Sequence, residues 1–173
     1  MNRLIAFAAL VVAFAGAAAS AFDTTPLQLS IWPPRLQVVP DYIDVSGIKL
    51  NLPFGGNQTI VGLDAGIAST SHKTSALQVN LLNRVHEEYA GLQVGLLNQT
   101  GNSSGVQIGV LMNATDSIAK GIQIGLINTS LEMSGLQIGI INYTEFMTGV
   151  QIGLINIIRE SIIPFFPIIN FCF

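Results

Sequence analysis

Gly-Leu-Gln-Val-Gly-Leu-Leu-Asn (91–98), Gly-Val-Gln-Ile-Gly-Val-Leu-Met-Asn (105–113), Gly-Ile-Gln-Ile-Gly-Leu-Ile-Asn (121–128), Gly-Leu-Gln-Ile-Gly-Ile-Ile-Asn (135–142) and Gly-Val-Gln-Ile-Gly-Leu-Ile-Asn (149–156) are copies of one phrase. Weaker copies flank them at 77–83 and 168–170. The closing Asn falls at 83, 98, 113, 128, 142, 156 and 170, a spacing of 15 three times and then 14 three times. A short fixed period means that one structural unit is tiled. Within a unit, Leu136, Ile138 and Ile140 alternate with Gly135, Gln137, Gly139 and Ile141. Alternation of this kind between polar linkers predicts a strand. Two Gly per unit and the lack of a 3.6-residue stripe argue against helix.

Two all-β architectures tile such a unit. An antiparallel meander with a three-residue loop at 130–132 places Thr129 opposite Met133. It pairs Leu126 with Leu136, Ile124 with Ile138 and Ile122 with Ile140, and sets Gln123 beside Gly139. Large residues then cover glycines, and cross-strand pairs of this type contribute roughly 0.2–1 kcal/mol each. The alternative is a parallel β-solenoid, with like residues stacked over like, Gly over Gly, and a ladder of Asn. The register favours the meander; the Asn ladder is the argument for the solenoid.

The chain has 173 residues, half of them apolar and only 10% charged. Asn2-Arg3, an apolar run over 4–15 and small residues up to Ala21 describe a secretory signal peptide. The expected organisation is therefore a signal over 1–21 and a single β-repeat domain over 22–173. Removing 1–21 leaves six Lys+Arg against ten Asp+Glu, a charge of −4. Without a basic patch, no nucleic-acid partner is expected. Cys172 stands alone, which excludes an intramolecular disulfide.

In chain order, candidate strands fall at 27–32, 47–54, 60–68, 76–83, 91–98, 105–112, 121–128, 135–142, 149–156 and 165–173. An even count of ten suits a closed barrel. The three-residue apolar face is short for a membrane-spanning strand, however. Phe165, Phe171 and Phe173 alternate at the C-terminus and are candidate assembly residues. In a closed barrel the last strand must also pair with the first, since edges in lipid are costly.

The tandem units, with the Pro-Phe-Phe-Pro-Ile-Ile-Asn-Phe-Cys-Phe ending, resemble the bacterial surface-repeat protein family. The likeness is close over 91–173 and loose over 27–173. Asp64, where the phrase has Gln, departs from the pattern. The resemblance implies an exported outer-membrane or cell-surface protein, with no enzyme activity and no catalytic residues to carry over.

Nothing else points to chemistry. His72 and His86 lie in polar linkers, and His86-Glu87-Glu88 reads as a solvated charged loop. There is no nucleophile elbow and no phosphate loop. No catalytic residue, cofactor or metal site is therefore expected. Six Asn-x-Ser/Thr triplets, at Asn57, Asn98, Asn102, Asn113, Asn128 and Asn142, read as turn chemistry. The remaining polar feature is a stripe of Gln78, Gln93, Gln107, Gln123, Gln137 and Gln151. These glutamines could line a barrel interior, form an outward Gln/Gly face for a partner, or be solvated filler. The expected role is structural or surface-interacting, with self-association or outer-membrane and surface components as partners. The second reading is a periplasmic or surface binding module, either an apolar-ligand barrel or a solenoid adhesin using the Gln/Gly face.

Overall fold

The structure is a computed structural model that describes residues 24–32 and 36–173. The expected signal segment and Pro33-Pro34 lie outside the described residues. The protein is nearly all strand: β1 (Thr24–Trp32), β2 (Leu36–Gln37), β3 (Asp44–Ile138), β4 (Ile141–Ile158) and β5 (Phe165–Cys172). They form one sheet in the order β2-β1-β3-β4-β5, which does not close into a barrel.

β3 is 95 residues long. Drawn out straight it would reach roughly 310 Å. Instead it winds, and side chains 14–16 residues apart touch all along it. β4 continues the winding in parallel register, with Asn128 beside Asn142, Gly135 beside Gly149 and Gln137 beside Gln151. Ladder bonds span one coil, 14 or 15 residues: Ile140 N–H donates to the Leu126 carbonyl at 2.9 Å, and Arg159 N–H to that of Thr144 at 2.9 Å. β1 joins the bottom in parallel, with Gln28 beside Lys49. β5 runs antiparallel along the top coil and sets Asn170 beside Gln151.

This corrects the meander. Like stacks over like, Gln123 bonds Gln137 and does not sit beside Gly139, and the architecture is a parallel coil stack with antiparallel pairing at its two ends. It also corrects the barrel closure, since β1 pairs with β2 and β3 while β5 pairs with β4. The physical reason lies in the glycines. Gly121, Gly135 and Gly149 take φ of 116°, 139° and 146°, which turns the chain at each coil start without breaking the ladder. A Cβ on Gly135 would lie 2.0 Å from the Gly121 carbonyl oxygen. Gly over Gly is thus a required close approach and leaves no gap. The second Gly of each phrase is confined by backbone and Asn amides together: a Cβ on Gly139 would lie 2.2 Å from the Gly125 carbonyl oxygen and 2.7 Å from Asn128 Nδ2.

Candidate functional site

The interior is mostly polar, with a small apolar cluster of Ala119, Met133, Met147 and Ile158. Gln78, Gln93, Gln107, Gln123, Gln137 and Gln151 are all at most 2% exposed. Each Nε2 donates to the Oε1 one coil below, at 2.7–2.9 Å, from Gln151 down to Gln78. Gln78 Nε2 then donates to Asp64 Oδ2 at 2.7 Å. A carboxylate only accepts, so Asp64 sets the direction of the whole column. The second amide hydrogen is used across the core: Gln123 donates to Thr115 Oγ1 at 3.1 Å and Gln137 to Ser130 Oγ at 3.4 Å.

A second column runs the opposite way. Asn83, Asn98, Asn113, Asn128 and Asn142 each donate through Nδ2 to the Oδ1 of the next coil up, at 2.8 Å. Asn156 ends it on the Phe166 carbonyl at 3.1 Å. Opposed amide columns cancel each other's dipoles and satisfy the buried polar groups that burial would otherwise penalise. At the top, Gln151 Oε1 is left without a hydrogen-bond partner.

Sequence reasoning missed Lys49. It is fully buried in the Gln column, one coil below Asp64, and donates to Ser69 Oγ at 3.1 Å and the Gly55 carbonyl at 3.4 Å. Its spacing of 15 from Asp64, equal to the repeat period, was the available signal. Burial pushes the Lys49 ammonium down to about 8, against the opposing pull of Asp64. Burial, with Asp64 adding to it, pushes the Tyr89 hydroxyl upward. The two act oppositely on stability. Between about pH 8 and 10.5 the unfolded chain keeps a Lys49 proton that the native state has shed, so stability rises with pH. Above about pH 10 the unfolded chain loses a Tyr89 proton that the native state keeps, so stability falls. Thermal denaturation should therefore show a midpoint about 4–8 °C higher at pH 9.5 than at pH 7, from a gain of about 2 kcal/mol. Lys49→Met should flatten that rise; an unchanged slope would exclude Lys49 as its source.

The exterior on the Gln side of the stack is apolar. On either side of the Gln column stand two outward columns of apolar residues, from Leu27 and Leu29 in β1 to Phe171 and Ile169 in β5. Between them lie such pairs as Ile48 and Leu50, Leu77 and Val79, and Ile122 and Ile124. A third column follows beyond the second Gly, including Leu81, Val110, Leu126, Ile140 and Leu154, all exposed. None of these positions carries a charge. The charged residues from 72 to 160 fall in the linkers, away from this flank. His72 and Glu87 approach to 3.5 Å, Lys73 and Glu88 to 3.4 Å, and the His72 and His86 rings lie 5.5 Å apart, all solvent-exposed. No group of three metal-ligating side chains occurs among the described residues. A cleft of about 650 Å³ between linkers, lined by Lys73, Glu88, Tyr89 and Lys120, mixes both signs of charge. No helix among the described residues is long and apolar enough to cross a membrane.

The aromatic C-terminus lies mostly in solvent: Phe165, Phe171 and Phe173 are 55%, 62% and 88% exposed. The Phe171 and Phe173 rings lie 6.2 Å apart. Only Asn170 and Cys172 of the final residues turn toward the stack. Deleting 171–173 removes the pairing of Phe171 with Val150 and of Cys172 with Gly149. The expected result is fraying of the top coil with the stack below intact, read as faster amide exchange confined to 149–158. Global loss of protection would contradict this.

No family model matches the chain, nor does any curated protein or any solved structure.

Proposed function

We propose that this chain is an exported, non-enzymatic scaffold of the bacterial cell surface or outer membrane, working through its exterior. The observation that carries this reading is the distribution of polarity: two amide columns run through the interior beside a small buried apolar cluster, while a charge-free aliphatic flank faces out along the full stack. An exposed apolar surface of this extent marks a site of association. The buried groups that could do chemistry, Lys49 and Asp64, are tied to neighbouring side chains and carbonyls and serve the fold. The N-terminal signal pattern and the likeness of the repeats to surface-repeat proteins agree with export. The Gln stripe lies within the stack, which leaves the apolar flank, and not a Gln/Gly face, as the contact surface.

Fractionation of the native host tests the reading, with the mature N-terminus sequenced. Recovery with the outer membrane or cell surface, starting near Phe22, is expected. Recovery in the cytoplasm with Met1 intact would overturn it.

A further inference from the structure

We infer that the apolar flank is the interface between two copies of this chain, which pair side by side through it. The inference rests on the scaffold reading above and names what covers the scaffold's surface. Three observations carry it.

The first is size. Ten stacked rungs at ~4.8 Å and a side about five residues wide at ~3.3 Å give a face of roughly 43 Å by 16 Å. That is on the order of 700 Å², close to the ~800 Å² per partner of a standard stable interface.

The second is shape. The outward residues stand in register from coil to coil, as Leu136 beside Val150 and Ile138 beside Ile152 show. They form ridges with a fixed rise. A second copy carries ridges of the same rise, so a two-fold arrangement can seat ridge into groove along the whole length, as in a dry sheet-on-sheet contact.

The third is charge. The flank holds no Asp, Glu, Lys or Arg, so two copies meet without like-charge repulsion. A lipid surface fits less well. Residues that seat an apolar face at the headgroup level are Lys, Arg, Trp and Tyr along its rim. The linkers beside the columns mix Lys73, Arg84, Lys120 and Arg159 with Glu87, Glu88, Glu132, Glu145 and Glu160, and the formal charge of the chain is −3, so they form no basic rim.

The test is sedimentation velocity of the full exported chain in detergent-free buffer. The wild type should sediment as a dimer. Ile108→Lys with Ile124→Lys, at mid-flank, should weaken association at least ~100-fold, since charge in a desolvated contact costs several kcal/mol. Thr129→Lys, on the polar side, should leave the dimer unchanged. If the double variant misfolds by circular dichroism, Ile124→Cys in a Cys172→Ser background replaces it. That variant should cross-link to a covalent dimer on oxidation, whereas Thr129→Cys should not. A monomeric wild type, a dimer that survives both lysines, or co-flotation of monomers with phosphatidylcholine vesicles would overturn the proposal. A surface-located monomer would leave the scaffold reading standing and remove only this inference; a cytoplasmic dimer would do the reverse.

Discussion

Replacing Gly121 and Gly135 together by alanine is expected to abolish folding. Both glycines sit at φ values that side-chain-bearing residues rarely adopt, 116° and 139°. The strain alone is about 1–3 kcal/mol per site. A clash adds to it: the new Cβ at 121 would lie 2.1 Å from the Gly105 carbonyl oxygen, and that at 135 would lie 2.0 Å from the Gly121 carbonyl oxygen. These are backbone atoms in a ladder, so neither can move without parting two coils. A domain stable by about 5–15 kcal/mol does not absorb two such changes in adjacent coils. Circular dichroism and solubility of the double variant should show loss of the β signal. Ser134→Ala, at the exposed neighbour, should change stability by less than ~0.5 kcal/mol. A double alanine variant that unfolds cooperatively at the wild-type midpoint would show that the coil turns do not need glycine.

Gln123→Leu is the second large effect. The substitution keeps volume and burial but removes the donor to Gln107 Oε1 and the acceptor of Gln137 Nε2. It also strips Thr115 Oγ1 of one partner. Leaving buried polar groups unsatisfied costs about 1–3 kcal/mol each, so a total of about 2–4 kcal/mol is expected after the cross-core bonds compensate in part. Gln151→Leu should cost less. It sits at the top of the column, and its Oε1 has no partner to lose. Denaturant unfolding with an unchanged slope would check the ranking. Equal losses at 123 and 151 would mean that the amide column does not act as a connected chain.

The repeat period, the all-β character and the alternation were legible because each is carried by residue spacing. Even the ten candidate strands have a counterpart, since the inward column occupies ten rungs from Gln28 through Lys49, Asp64 and the six glutamines to Asn170. The direction of stacking was not legible from size matching. Pairing Gln123 with Gly139 filled apparent gaps, but the gaps do not exist. Both glycines of each phrase are pressed against backbone carbonyls, and the second also meets the Asn amides beside it. The Asn period pointed to the correct answer, because stacked amides bond each other only when like sits over like. Which face turns inward was equally hidden. Apolar residues ordinarily fill the core. Here two amide columns and the Ser/Thr hydroxyls facing them pair most of the interior's polar groups, Gln151 Oε1 at the top being an exception, and Ile122, Ile124 and Leu126 are turned out. Phe165, Phe171 and Phe173 did share a face in the sequence reading. In the structure Phe171 extends the apolar flank of a capped end and closes no barrel.

The parallel stack fixes which residues are neighbours on adjacent coils, and one pair of cysteines reads that neighbourhood out. Thr129 and Tyr143 are in-register neighbours on adjacent coils, and both are partly exposed. Neighbouring strands lie ~4.8 Å apart, within disulfide reach. In an antiparallel meander the same two residues would stand at opposite ends of their strands, roughly 30 Å apart. In a Cys172→Ser background, Thr129→Cys with Tyr143→Cys should form an intramolecular disulfide under mild oxidation, seen as faster migration on a non-reducing denaturing gel. No cross-link there, together with a ready one between Thr129→Cys and Met133→Cys, would contradict the parallel stack and restore the hairpin.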